Sequence, residues 1–289
     1  MKNILASSGG LRRALALPAT LYMLLGFVVP LVAVLGYSLL ARDFPLGVLP
    51  EFSSTAWETA TDSISLRIIA RSLVVALAVT LSVLAICYPA AMAIMNLPRH
   101  WRQMLLLATS FPLITSVLLR TYGWMNLIPL EWQGTYTAVV IVVAANYLPL
   151  MLLPLTRAFE RLDPNILSAA RDLGATPWQA FWRVTWPLTR GGRWAGAILV
   201  FVPSLGEYVV PHFIGQGKVT LLGIAVKQAF DERNWPLAAA YSAILTGMVL
   251  LPTIITMVLT ALKSRSPVAP IAAARRTTPE TSPQSGAAA

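Results

Sequence analysis

Glu207 stands in an apolar run between Pro203 and Pro211, beside Gly206. Two prolines take backbone donors out of a helix, and within a membrane such a break persists only where a cavity or neighbouring protein satisfies the freed groups. Burying a carboxylate there unpaired is expensive. Three readings of Glu207 follow: it binds or gates a cation, it pairs with Arg120, or it caps the broken helix. Tyr122, Trp124, Trp132, Tyr136, Tyr147 and Tyr208 offer aromatic faces that attract an amine through cation–π contact, and the same residues suit an interfacial aromatic belt. Catalytic constellations are missing. Gly217-Lys218 lacks the upstream glycine and following hydroxyl of a phosphate-binding loop, and His100 and His212 have no ligand-spaced companions. The chain is therefore read as no enzyme in itself, with no cofactor and no metal.

A second constellation lies in a charged, amphipathic stretch between apolar runs. Asp163-Pro164 is an N-cap followed by proline at the first helical position, which starts a short helix expected to run to about Leu173. Gly174 can then take the left-handed conformation that ends it. Thr176-Pro177 repeats the start signal for a second helix carrying Trp178, Phe181, Trp182 and Trp186. Ala169 and Ala170 keep the first helix thin enough to enter a groove on a partner, while the aromatics of the second would anchor the elbow to a bundle and the membrane interface. Taken alone, this pattern also fits an amphipathic hairpin lying on lipid.

These residues need a membrane scaffold. Of 289 residues, 56% are hydrophobic and only 12% charged, about half the charge of an ordinary soluble domain. Six segments approach the roughly 20 apolar residues a membrane helix requires: 15–40, 68–95, 104–124, 137–155, 194–214 and 237–262. The first is too long for a signal-peptide core. Long unbroken runs favour helices over a barrel. The expected fold is thus all-α and integral to the membrane, with six transmembrane helices and the elbow, about 163–187, between the fourth and fifth. Residues 1–14 form a cytoplasmic N-terminus, 15–262 the transmembrane domain, and 263–289 a disordered tail rich in Ala, Pro, Ser and Thr.

All but seven of the 22 lysines and arginines fall on one side of these spans; the exceptions are Arg42, Arg67, Arg71, Arg120, Lys218, Lys227 and Arg233. Basic residues concentrate in cytoplasmic loops, so both termini and the elbow are expected inside. The net charge of +10 is then an orientation signal with some attraction to anionic lipid, and nucleic acid is excluded. Cys87, the single cysteine, lies in a span and can form no intrachain disulfide.

Ala169, Ala170, Asp172 and Gly174 match the signature of ATP-binding-cassette importer permeases, usually written E-A-A, three residues, G. Ser168 stands where that motif has glutamate, and Arg190-Gly191-Gly192 replaces its usual Pro-Gly ending. Arg71-Ser-Leu, Tyr88-Pro89, Leu119-Arg-Thr-Tyr-Gly-Trp124, Pro203-Ser-Leu-Gly-Glu-Tyr-Val-Val-Pro211 and Trp235-Pro-Leu-Ala-Ala-Ala240 resemble the spermidine/putrescine subgroup. About a dozen residues around Asn126–Tyr136 separate spans three and four, fewer than that subgroup usually has. The resemblance implies a plasma-membrane permease subunit that imports a polyamine or related amine delivered by a periplasmic or extracellular binding protein. Its partners would be a second permease, related but not identical, and an ATPase dimer that holds ATP and Mg. Ser168, Ala169, Ala170, Asp172, Gly174 and Ala175 would couple to that ATPase, and Arg120, Tyr122, Trp124, Glu207 and Tyr208 would line the pathway or gate. An ATPase-independent transporter or channel accommodates the spans and Glu207 equally, but gives no reason for the elbow.

Overall fold

A computed structural model describes the backbone of residues 2–43 and 47–263, and the side chains of 17–43, 47–163 and 165–251. The tail beyond Lys263 lies outside the described residues. The chain parts into two compact units, residues 1–247 and 248–289. The second contains the end of the last helix, which closes at Lys263.

Helix α1 (Lys2–Tyr37) presents an apolar surface from Leu17 onward, almost wholly exposed within this chain. A small antiparallel ribbon of β1 (Leu40–Ala41) and β2 (Leu49–Phe52) follows, with the one-turn helix α2 (Thr55–Ala60). This ribbon departs from the expected all-helical chain and lies between the first and second expected spans. Trp57 Nε1 donates to Ser38 Oγ at 3.1 Å and so ties α2 to the end of α1.

Helices α3 (Ser63–Met95), α6 (Tyr136–Glu160) and α10 (Arg190–Leu205) form the core. Asp62 caps α3 by accepting from Ser63 N at 2.6 Å, and Thr135 caps α6 by accepting from Ala138 N at 3.2 Å. Val75, Val79 and Val83 recur every four residues on α3, and Val139, Val142 and Val143 face them from α6. Gly192 and Gly196 supply the close approach of α10: a Cβ at Gly192 would stand 2.6 Å from Pro154 O, and one at Gly196 would collide with Met151 Sδ. Without a hydrophobic drive between helices in lipid, small residues four apart let backbones pack directly.

Two expected spans are not continuous helices. Helix α4 (Arg99–Ile114) and helix α5 (Val117–Leu127) meet at 98°, because Thr115 and Ser116 adopt extended backbone after Pro112 has removed a donor from the last turn of α4. The fifth breaks at Gly206–Tyr208, between α10 and α11 (Val209–Ile214), not at its prolines. Pro203 is carried inside α10. Pro211 sits in the first turn of α11, where a missing amide donor costs little.

Helices α3, α6 and the apolar part of α1 are long enough to cross a bilayer, as is α4–α5 if the bent pair counts as one span. Helix α12 (Leu222–Asp231) is held to α3 by Leu222 N donating to Ser72 Oγ at 2.7 Å. Helix α13 (Trp235–Lys263) closes the described chain, and Tyr241 on it shares a 2.8 Å hydrogen bond with Ser65 of α3.

Candidate functional site

Residues 164–180 hold two short helices with a glycine stop between them, but the second ends at Ala180, so Phe181, Trp182 and Trp186, expected on it, fall in the turns that follow. Helix α7 (Pro164–Asp172) begins where the Asp163 carboxylate accepts from Asn165 N at 2.9 Å. It ends at Gly174, whose φ of +82° lies in the left-handed region. Gly174 N donates to Arg171 O at 2.8 Å and Ala175 N to Ala170 O at 3.0 Å, the paired bonds that close a helix through a glycine. Helix α8 (Pro177–Ala180) starts in a reciprocal capping box: Gln179 N donates to Thr176 Oγ1, and Thr176 N donates to Gln179 Oε1. A π-helical turn (Phe181–Thr185) and the single turn α9 (Trp186–Leu188) lead into α10.

Ser168, Ala169, Asp172 and Gly174 are exposed, while Ala170 and Ala175 are half-buried. At the tip, Leu173 is 89% exposed and Trp178 69% exposed, so the described chain leaves both apolar side chains uncovered.

The base of the elbow is fixed by rings. Tyr88 of α3 stands edge-on to Phe159 at 5.4 Å and Phe181 at 5.7 Å, and lies 5.0 Å from Trp186. Its hydroxyl shares a 2.9 Å hydrogen bond with Thr189 Oγ1. The Arg193 guanidinium sits 3.6 Å over Trp186, within cation–π range, and its Nη2 donates to Trp186 O at 2.9 Å. Nearby, Glu160 accepts from Arg157 at 3.3 Å and faces Arg102 of α4 at 3.9 Å. These contacts fasten the elbow to three core helices at one end of the bundle.

The second group surrounds the break before α11. Glu207 is buried, and its Oε1 accepts from Val209 N at 3.0 Å and Val210 N at 3.3 Å, the unpaired amides of that helix. Its Oε2 accepts from the Tyr147 hydroxyl at 2.6 Å. No ion pair joins Glu207 to Arg120 among the described residues. The buried Nε and Nη1 of Arg120 on α5 have no hydrogen-bond partner among the described residues.

The Tyr122 ring lies 5.1 Å from Phe213 and brings α5 against α11, and both Tyr122 and Tyr208 remain largely exposed. Trp124 and Tyr136 pack against the core, and Trp132 is exposed. The structure thus gathers Arg120, Tyr122, Glu207 and Tyr208 around α5 and α11 and draws Trp124 toward the core.

Sequence reasoning missed three contributors. Gly223 allows α12 to lie directly on the break: a Cβ there would stand 2.7 Å from Gly206 O and 2.8 Å from Glu207 O. Only its place in a compact helix reveals that role. Tyr88 was visible as a residue type but not as the hub of the aromatic base. The Gly192–Gly196 pair had a legible signal, glycine at i and i+4 in an apolar run.

Residues 85–266 match the family described as binding-protein-dependent transport system inner membrane component. Over 252 residues the chain is 34% identical to the spermidine/putrescine transport system permease protein PotB of Salmonella typhimurium (strain SL1344), covering 80% of this chain and 88% of that one. PotB of Escherichia coli (strain K12) gives the same identity and covers 92% of its own length. The fold is similar, with a TM-score of 0.59 at 14% identity, to a chain of a bacterial ABC transporter involved in the import of the acidic polysaccharide alginate; the match covers 90% of this chain and 98% of that one. A multi-pass helical chain whose family match spans the elbow, the break and the core helix between them is a permease: the protein belongs to the family of inner-membrane components of binding-protein-dependent transport systems.

Proposed function

We propose that the chain is one of two permease subunits of an ATP-driven importer for a polyamine or a related small amine. The elbow, Ser168 to Ala175, is its contact with a separate ATPase dimer that binds ATP and Mg. A soluble binding protein delivers the solute to the opposite face, and a related second permease completes the path. In this reading all six apolar segments cross the membrane, with both termini and the elbow cytoplasmic. One observation carries the proposal above the rest: a helix closed by its own glycine presents Ala169, Asp172 and an uncovered Leu173, while its base is locked to α3, α6 and α10 by rings. A rigid lever with a bare tip is suited to receive force. An amphipathic hairpin resting on lipid needs no such fastening.

The break before α11 is proposed as the gate. Three donors occupy the Glu207 carboxylate, so it holds the gate's geometry and offers no free anion to a polyamine. The exposed rings of Tyr122 and Tyr208 are the amine-binding faces. Support for the solute comes from the identity to PotB over most of the chain.

The experiment is purification of the full chain with its native partners, followed by uptake of radiolabelled spermidine, putrescine and an uncharged control into vesicles. An ATPase that co-purifies and drives amine uptake is the expected result. An ATPase that drives uptake of no amine would remove the solute assignment, and purification without any ATPase would remove the coupling role.

A further inference from the structure

Beside the base of the elbow lies a cavity of about 520 Å³, between the end of α6 and the start of α10. Its size is that of an ordinary small-ligand cleft. Arg157 and Arg161, at the C-terminal end of α6, line it together with the apolar Pro154, Ala158, Gly191 and Ala195. That apolar lining continues onto the outward face of α10, where Trp194 and Ile198 are 70% and 58% exposed. A site that is cationic at the water side and apolar toward the hydrocarbon has the two-part character of a phospholipid.

We propose that this cavity binds an anionic phospholipid of the inner leaflet, with its phosphate between Arg157 and Arg161 and its acyl chain along the glycine-bearing wall of α10. The placement rests on the reading that the elbow side is cytoplasmic. The nearby carboxylates do not oppose it. Asp163 is turned onto the N-terminus of α7, where it accepts from Asn165 N, and Glu160 is neutralised between Arg157 and Arg102.

The elbow itself shares the site, because Asp163, Ile166 and Leu188 also line the cavity. A second cavity of about 240 Å³ touches the same three residues from another side. A lipid in the first would fill one of two voids flanking the start of α7 and so bias how the elbow sits.

The test uses the full chain purified with its co-purifying subunits and titrated with phosphatidylglycerol, phosphatidylcholine or glycerol 3-phosphate. Retained lipid is read by native mass spectrometry. Phosphatidylglycerol should be held in preference to phosphatidylcholine. Each of Arg157→Gln and Arg161→Gln should weaken retention roughly five-fold, and the double variant about 20- to 30-fold. Arg157→Lys/Arg161→Lys should retain the lipid. Gly191→Leu, placed where an added side chain meets open space, should displace the acyl chain without disturbing the fold. Arg183→Gln, a basic residue of the elbow outside the cavity, should bind as the parent does.

Equal retention of both lipids, no loss in the double glutamine variant, or displacement by glycerol 3-phosphate would each overturn the site. Retention that follows this pattern in a chain purified without any ATPase would uphold the lipid site while removing the coupling role.

Discussion

Glu207 illustrates how a buried charge in a membrane protein can be mistaken for a free one. The residue lies in a helix break, which marks it as functional by default. Its environment then assigns the work: two α11 amides and the Tyr147 hydroxyl satisfy it within the chain. Tyr147→Phe removes one of these donors and leaves Oε2 short of a partner. The expected cost is about 1–2 kcal/mol, read as a lowered unfolding temperature of the purified complex. Glu207→Gln keeps an acceptor but not the charge that serves three donors. Amine uptake should fall about ten-fold or more while assembly, followed by co-purification, is unchanged. Normal uptake by that variant would remove Glu207 from the gate. Its position in the break was legible in the sequence, whereas its partners were not, because Tyr147 is 60 residues away and only the packing of α6 on α11 joins them.

The elbow and the core helices differ in how openly their sequences declare them. Elbow geometry is local: Asp163-Pro164, Gly174 and Thr176-Pro177 each act within a few residues, and the observed caps fall where those signals put them. Gly174→Ala would force a side chain into the left-handed region at a cost of roughly 1–2 kcal/mol. The expected outcome is a complex that assembles and hydrolyses ATP but responds several-fold less to solute-loaded binding protein.

Core packing depends on non-local contact, so the break in span three and the passage of α10 along α6 could not be read from runs of apolar residues. Adjacent glycines separate the two effects. Gly192→Ala places its Cβ 2.5 Å from that of Ala158 and should destabilise the chain by about 1–3 kcal/mol, whereas Gly191→Ala meets open space and should be neutral or slightly stabilising. Thermal unfolding of the two variants side by side checks this. Equal behaviour would mean that α6 and α10 do not approach as closely as described.

Across the whole molecule, charge and hydropathy settle the class early, and geometry supplies the division of labour. One end of the core carries the bare-tipped elbow; the break before α11, packed on α5 and α12, carries the capped carboxylate and exposed tyrosines. Separating the two suits a device in which hydrolysis on one subunit moves a barrier in another, since nucleotide can shift the bundle only through different contacts in its two states. Leu173 and Trp178 are where such contacts would differ. The most direct measurement is ATP hydrolysis by the lipid-reconstituted assembly, with and without spermidine-loaded binding protein, for the parent chain and for Ala169→Glu/Leu173→Asp. The parent should be stimulated several-fold and the variant should lose that response while still assembling in the membrane. Full stimulation of the variant would contradict the assignment of the elbow as the site where ATP hydrolysis is coupled to transport.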